Sequence, residues 1–158
     1  MRKQLCLIAV GAGLTVATPT NAEWQNTNWE MSRAEVVRVT GAQVVEGTKG
    51  QSVGGADLGA AGTYSALGFN FRSLFFFDRT DRLRLVKIVM DDVDRCDDLQ
   101  QTMEGIYGNP VESMRISQMW IDGKSGDEVR YTDARRPPIV NECFVAYSPA
   151  APSGGRGL

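Results

Sequence analysis

The sequence predicts an α+β fold: an antiparallel sheet with two helices, in the order helix, two or three strands, helix, three strands. Three observations carry this expectation. Ser32-Arg33-Ala34-Glu35 has the form of a capping box, which opens a helix. Phe69, Phe71, Phe75 and Phe77 alternate with other side chains at a spacing of two, as on one face of a strand. Cys96, Leu99, Met103 and Ile106 recur at three and four residues, as on one stripe of a helix.

The chain opens with Arg2 and Lys3, an apolar run from Leu5 to Val16, and Thr20-Asn21-Ala22. A short positive start, an apolar stretch and small residues at its far end form the pattern of a cleavable export signal. The apolar run is much shorter than the roughly 20 residues that span a bilayer as a helix, so an anchor is the poorer reading. Residues 1–22 are therefore expected to be removed, with cleavage between Ala22 and Glu23. Residues 23–147 are expected to form a single domain and residues 148–158 a disordered tail. The expected location is the periplasm, or outside the cell, with no stable membrane anchor after cleavage. Loss of Arg2 and Lys3 from 17 basic and 19 acidic side chains leaves a net charge of −4. A mildly acidic domain is poorly suited to nucleic acid or anionic lipid, both of which demand a basic surface. Of three cysteines, Cys6 leaves with the signal. The remaining pair, Cys96 and Cys143, is expected to form a disulfide in an oxidising compartment. The alternative is two buried free thiols.

Along the domain, Met31 and Val36 are placed as a hydrophobic staple around the capping box, and Gly41 can end the helix begun at Arg33. Residues 45–62 hold six glycines and read as a loop, with room for one short strand. They match neither the Walker pattern nor the dinucleotide fingerprint. The aromatic strand from Gly68 to Phe77 turns at Asp78–Asp81 into a partner from Arg82 to Met90. The apolar positions of that partner change parity midway, the sign of a bulge or of burial on both faces. The second helix starts near Asp94 or Arg95 and stops at Gly108, with Pro110 beyond. Strands then read as Met114–Ile121, Glu128–Thr132 and Ile139–Tyr147.

The chain contains no histidine. That excludes Ser-His and Cys-His nucleophiles and most catalytic zinc sites. The carboxylates Asp91, Asp92, Asp94, Asp97 and Asp98 could bind calcium, but the EF-hand glycine and distal glutamate are missing. At the start of a helix such acids also complement its positive end. Asp78 or Asp91 could serve a glycosidase only beside a second carboxylate. No catalytic residue, metal site or cofactor site is assigned. Trp24, Trp29 and Trp120 are the candidate binding surface.

The chain resembles a type of small exported bacterial protein that opens with W-G-M-S-x-x-E-V, here Trp29-Glu30-Met31-Ser32-Arg33-Ala34-Glu35-Val36. Its F-x-F-D strand corresponds to Phe75-Phe76-Phe77-Asp78. Its C-x-x-L…Y-G-x-P helix corresponds to Cys96, Leu99, Tyr107, Gly108 and Pro110, and its closing C-x-x-x-Y to Cys143 and Tyr147. Glu30 replaces the glycine of the motif. A looser likeness extends to the small α+β modules of outer-membrane assembly lipoproteins and of β-lactamase-inhibitor proteins, which act by binding other proteins. The lipid-anchor cysteine of the lipoproteins has no counterpart here. The expected function is therefore a non-enzymatic domain that binds an envelope protein or another envelope component through its sheet or its N-terminal tryptophans. The alternatives are a metal-dependent or hydrolytic enzyme using Asp91–Asp98, and a carrier of a small apolar ligand lined by the phenylalanines.

Overall fold

A computed structural model describes residue 24, residues 26–45 and residues 51–150. The expected signal segment and residues 151–158 of the expected tail lie outside the described residues.

The helix α1 (Arg33–Thr40) begins as the capping box requires. The Glu35 amide donates to the Ser32 hydroxyl, and the Ser32 amide donates to the Glu35 carboxylate. Gly41 ends it with φ 72°, a left-handed conformation that costs glycine nothing sterically. Val36 is fully buried, and Met31 packs against the same core.

Nine strands follow among the described residues: β1 (Gln43–Val44), β2 (Ser52–Val53), β3 (Ala56–Ala66), β4 (Phe69–Phe77), β5 (Leu83–Met90), β6 (Glu112–Met114), β7 (Ser117–Ile121), β8 (Glu128–Asp133) and β9 (Cys143–Ser148). They form one antiparallel sheet in the order β1-β3-β4-β5-β9-β8-β7-β6, and β2 pairs with β3 beside β1. The sheet is two meanders, β3-β4-β5 and β6-β7-β8-β9. Between them runs the helix α2 (Cys96–Tyr107), preceded by a 3-10 turn at Val93–Arg95. The second meander starts at the far edge and works back until β9 pairs with β5.

Five strands therefore precede α2, not two or three, and four follow it, not three. The largest departure is β3, which takes up the last seven of the eighteen residues expected to be a loop. Glycines argue against a strand on propensity alone. Here they are needed because other groups come close. A Cβ on Gly59 would lie 2.7 Å from Phe77 Cδ2 and 2.8 Å from Arg33 Nε. Phe77 is a core ring and cannot retreat. Gly59→Ala is thus expected to destabilise by roughly 1–3 kcal/mol, as over-packing does. A chemical melt of this variant unchanged from the parent would contradict the close approach.

The parity change in the partner strand is a bulge, because the β4–β5 register shifts between Phe76 and Phe77, opposite Leu85 and Leu83. The expected strand Met114–Ile121 is a hairpin, with Arg115 and Ile116 between β6 and β7. The closing strand is shorter than expected and starts at Cys143, while Ser148 pairs with Glu128 instead of beginning the tail. In α2, Cys96, Leu99 and Met103 are buried, but Ile106 is 52% exposed. At 100° per residue, the tenth position beyond Cys96 is about 80° off the stripe, whereas the eleventh returns to it. Tyr107 accordingly packs on the core instead, tilted against Trp120 at 6.1 Å.

Alternation divides the sheet into two faces. Phe71, Phe75, Val86, Val145 and Val129 point to the face that α1 and α2 cover, and they belong to the main core. Cys96 and Cys143 form a disulfide that ties the start of α2 to β9 on this face. The Tyr131 hydroxyl donates to the Cys96 carbonyl at 3.0 Å. Burial, followed by the charge of Asp133, pushes this phenol up to about 12. Among the described residues no helix is long and apolar enough to cross a membrane.

Candidate functional site

The three tryptophans expected at a binding surface are core residues. Trp24 is 5% exposed, Trp29 7% and Trp120 1%. Trp24 meets Tyr64 and Phe75 edge-on, with centroids 5.1 and 5.3 Å away. The Trp29 indole donates to Asp127 Oδ1 at 2.7 Å, and the Trp120 indole to the Gly108 carbonyl at 2.9 Å. The polar residues around Trp24 and Trp29 gave the segment a surface-like composition. In the structure, the segment straps across the helical side of the sheet instead. Its last residue, Met31, accepts the Leu83 amide through its carbonyl.

The acidic cluster serves the chain itself. Asp92 caps the 3-10 turn through the Asp94 amide. Asp98 pairs with Arg95 at 3.2 Å, and Asp91 lies 3.9 Å from Arg72. Arg135 bridges Asp97 and Asp133. Among the described residues no group of three or more Cys, Asp or Glu side chains converges as metal ligands would. Asp78 shares its partner Arg84 with a second carboxylate, Glu30, whose oxygen lies 3.5 Å from the guanidinium. It takes the Thr80 hydroxyl at 2.7 Å, the Arg84 guanidinium at 2.7 Å and two backbone amides.

Those donors, the Thr80 hydroxyl first and Arg84 next, hold the Asp78 carboxyl well below the usual carboxylate range. A depressed folded pKa contributes stability above the unfolded value of about 3.9, and the contribution fades as pH falls through the folded value. The parent protein should therefore out-melt Asp78→Asn at pH ~6, with the gap closing below about pH 4. A gap that stays constant down to pH ~2 would count against this carboxylate as its source.

The unexpected feature is the other face of the sheet. Leu58, Leu74, Phe76, Leu85, Val89 and Phe144 occupy it on four neighbouring strands. Among the described residues no helix lies over it. Phe76 is nevertheless only 3% exposed and Val89 1%, so the neighbouring side chains close over them and the half-buried remainder forms the surface. Two adjoining hollows of about 450 and 350 Å³ lie on this face and share Val53, Leu85 and Ser148.

The charges on this face are paired. Lys87 Nζ binds Glu142 at 2.8 Å and stands 3.9 Å from the Phe144 ring centroid. Arg130 lies between Glu128 at 3.0 Å and Glu112 at 4.0 Å. Arg84 holds Asp78. The result, among the described residues, is an apolar field crossed by neutralised ion pairs, without the uncompensated cations that would draw polyanions. Leu74 and Phe76 could be placed on this second face from alternation alone. Phe144 and Lys87 join them only through the β5–β9 pairing, which links residues 55 apart. No local signal in the sequence carries that register.

These features define a two-layer α+β domain with a helical layer on one face and an open apolar face on the other. Comparisons with protein-family models, curated proteins and solved structures return no match to this chain.

Proposed function

We propose that the mature chain is a non-enzymatic domain outside the cytoplasm that binds another protein through the open face of its sheet. The observation that carries this reading is the apolar field of the half-buried Leu58, Leu74, Leu85 and Phe144, over which no helix of the described domain packs. Contiguous apolar surface rimmed by polar groups is what protein partners bury. The paired charges support a protein partner over nucleic acid or anionic lipid, because counterion release needs free cations. The engagement of Asp91, Asp92, Asp97 and Asp98 with the chain's own groups gives no support to a carboxylate enzyme. The disulfide and the leader pattern of residues 1–22 support an oxidising compartment.

Site-specific photo-crosslinking in intact cells tests the proposal. A crosslinker replacing Ala146 or Thr132, both half-buried on the open face, should capture one discrete protein. A crosslinker at Ile139, 84% exposed on the loop before β9, should not. Equal capture at all three positions, or none at any, would remove the open face as the docking surface.

A further inference from the structure

The shape of the open face bears on what covers it, given the docking role proposed for that face above. In the sheet, β3, β4 and β5 separate β2 from β9. Val53, at the β2–β3 turn, nevertheless lines both hollows, one of them together with Phe144 and Ala146 of β9, while Gly54 and Gly55 line the other. The turn therefore folds forward over the face and stands as a ridge beside a trough. Leu85, Phe144 and Ala146 form the floor of the trough, and Glu128 and Arg130 of β8 flank its far side.

The ridge is thin and apolar. Gly54 and Gly55, at φ 59° and 83°, leave its crest without side chains, and a Cβ on either would meet nothing within 4 Å. Val53 is 49% exposed, and residues 51–56 carry no charge. The trough is neutral too, since Lys87 is paired with Glu142, Arg130 with Glu128 and Arg84 with Asp78. It therefore suits an uncharged apolar ridge, and this chain carries one directly beside it. A two-fold axis between ridge and trough lays the ridge of each copy into the trough of the other, with no like charges opposed. We infer that the occupant of the open face is a second copy of this chain, with Val53 of each copy over Ala146 of the other. The two turns then run side by side at the axis, where glycine permits the close approach of two backbones. From β3 to β7 the face is about 24 Å wide, at roughly 4.8 Å per strand, and β9 spans about 18 Å along it. Counted on both copies, such a footprint falls at the low end of specific protein interfaces, of about 1,200 Å². That size fits a dimer that forms reversibly at micromolar concentration.

Sedimentation of the protein, purified from cells that express the full chain, tests this pairing between ~1 and ~100 µM. The parent is expected to pass from monomer to dimer over that range. Val53→Glu and Ala146→Lys each bury an unpaired charge, so each alone should weaken the dimer by at least about tenfold. An equimolar mixture of the two should dimerise again. The introduced carboxylate and ammonium then meet in one trough, while the other trough keeps its native Val53–Ala146 contact. Recovery on mixing also shows that both variants are folded. A parent that stays monomeric at ~100 µM overturns the inference. So does a dimer that both variants retain, or a mixture that stays monomeric. The crosslinker at Ala146 separates this outcome from failure of the open-face reading. An adduct of twice the chain's mass is expected. A monomeric parent with one different protein captured removes the second copy and leaves the open face as the docking surface. A monomeric parent with no capture removes both.

Discussion

Replacing both Cys96 and Cys143 with alanine is expected to lower stability by about 4 kcal/mol. The bond links residues separated by 47 positions, and closing a loop of that length removes about this much free energy from the unfolded ensemble on the chain-entropy account. For a domain of this size the melting temperature should fall by roughly 15 °C. The bond joins the first residue of α2 to the first residue of β9, both fully buried. It therefore ties the crossover helix to the strand where the two meanders meet. The fold is expected to survive the loss, because Leu99 and Met103 still bury the same face of α2. Urea melts of the parent and the double variant, both two-state, give the difference directly. A loss below about 1 kcal/mol would show that the unfolded chain is already compact across this loop. Thiol labelling of the unreduced protein should modify neither cysteine, and full labelling of both would show that the bond is absent in solution.

Local signals in the sequence were sufficient where the structure is local. The capping box and Gly41 bound α1 because hydrogen bonds between residues three or four apart decide it. The alternating phenylalanines mark β4 because one of its faces is core along its whole length. Cys96, Leu99 and Met103 orient α2, and the disulfide follows from that orientation and from the parity of the cysteines. Long-range contacts decided the rest. Gly59 lies in a strand because Phe77, 18 positions on, fills the space of its missing side chain. Trp24 and Trp29 read as surface because their neighbours in sequence are polar. Their partners, Tyr64, Phe75 and Asp127, lie on other strands and in a distant turn. The open face was legible only at Leu74 and Phe76, because pairings across the two meanders assemble the remainder.

Trp24→Ala should cost roughly 3–5 kcal/mol, the range for deleting a large buried aromatic side chain. The substitution empties the space over Phe75 and Tyr64, both on strands that cannot close inward without breaking the β3–β4 register. Phenylalanine substitutions separate packing from hydrogen bonding. Among the described residues the Trp24 indole nitrogen is buried without a hydrogen-bond partner, so Trp24→Phe removes an unsatisfied donor along with some packing. Its cost should be about 1–2 kcal/mol. Trp29 presents the opposite case, because its indole donates to the buried Asp127 at 2.7 Å. Trp29→Phe leaves that carboxylate short of a donor, and hydrogen bonds to charged groups are worth about 1.5–3 kcal/mol each. Trp29→Phe should therefore cost more than Trp24→Phe, although both delete the same atoms. Urea melts of the two variants decide the order, and the reverse order would mean that the strap is held by ring packing alone. Adding Asp127→Asn to Trp29→Phe should recover part of the loss, because the neutral amide brings donors of its own and no longer requires a charge-assisted partner.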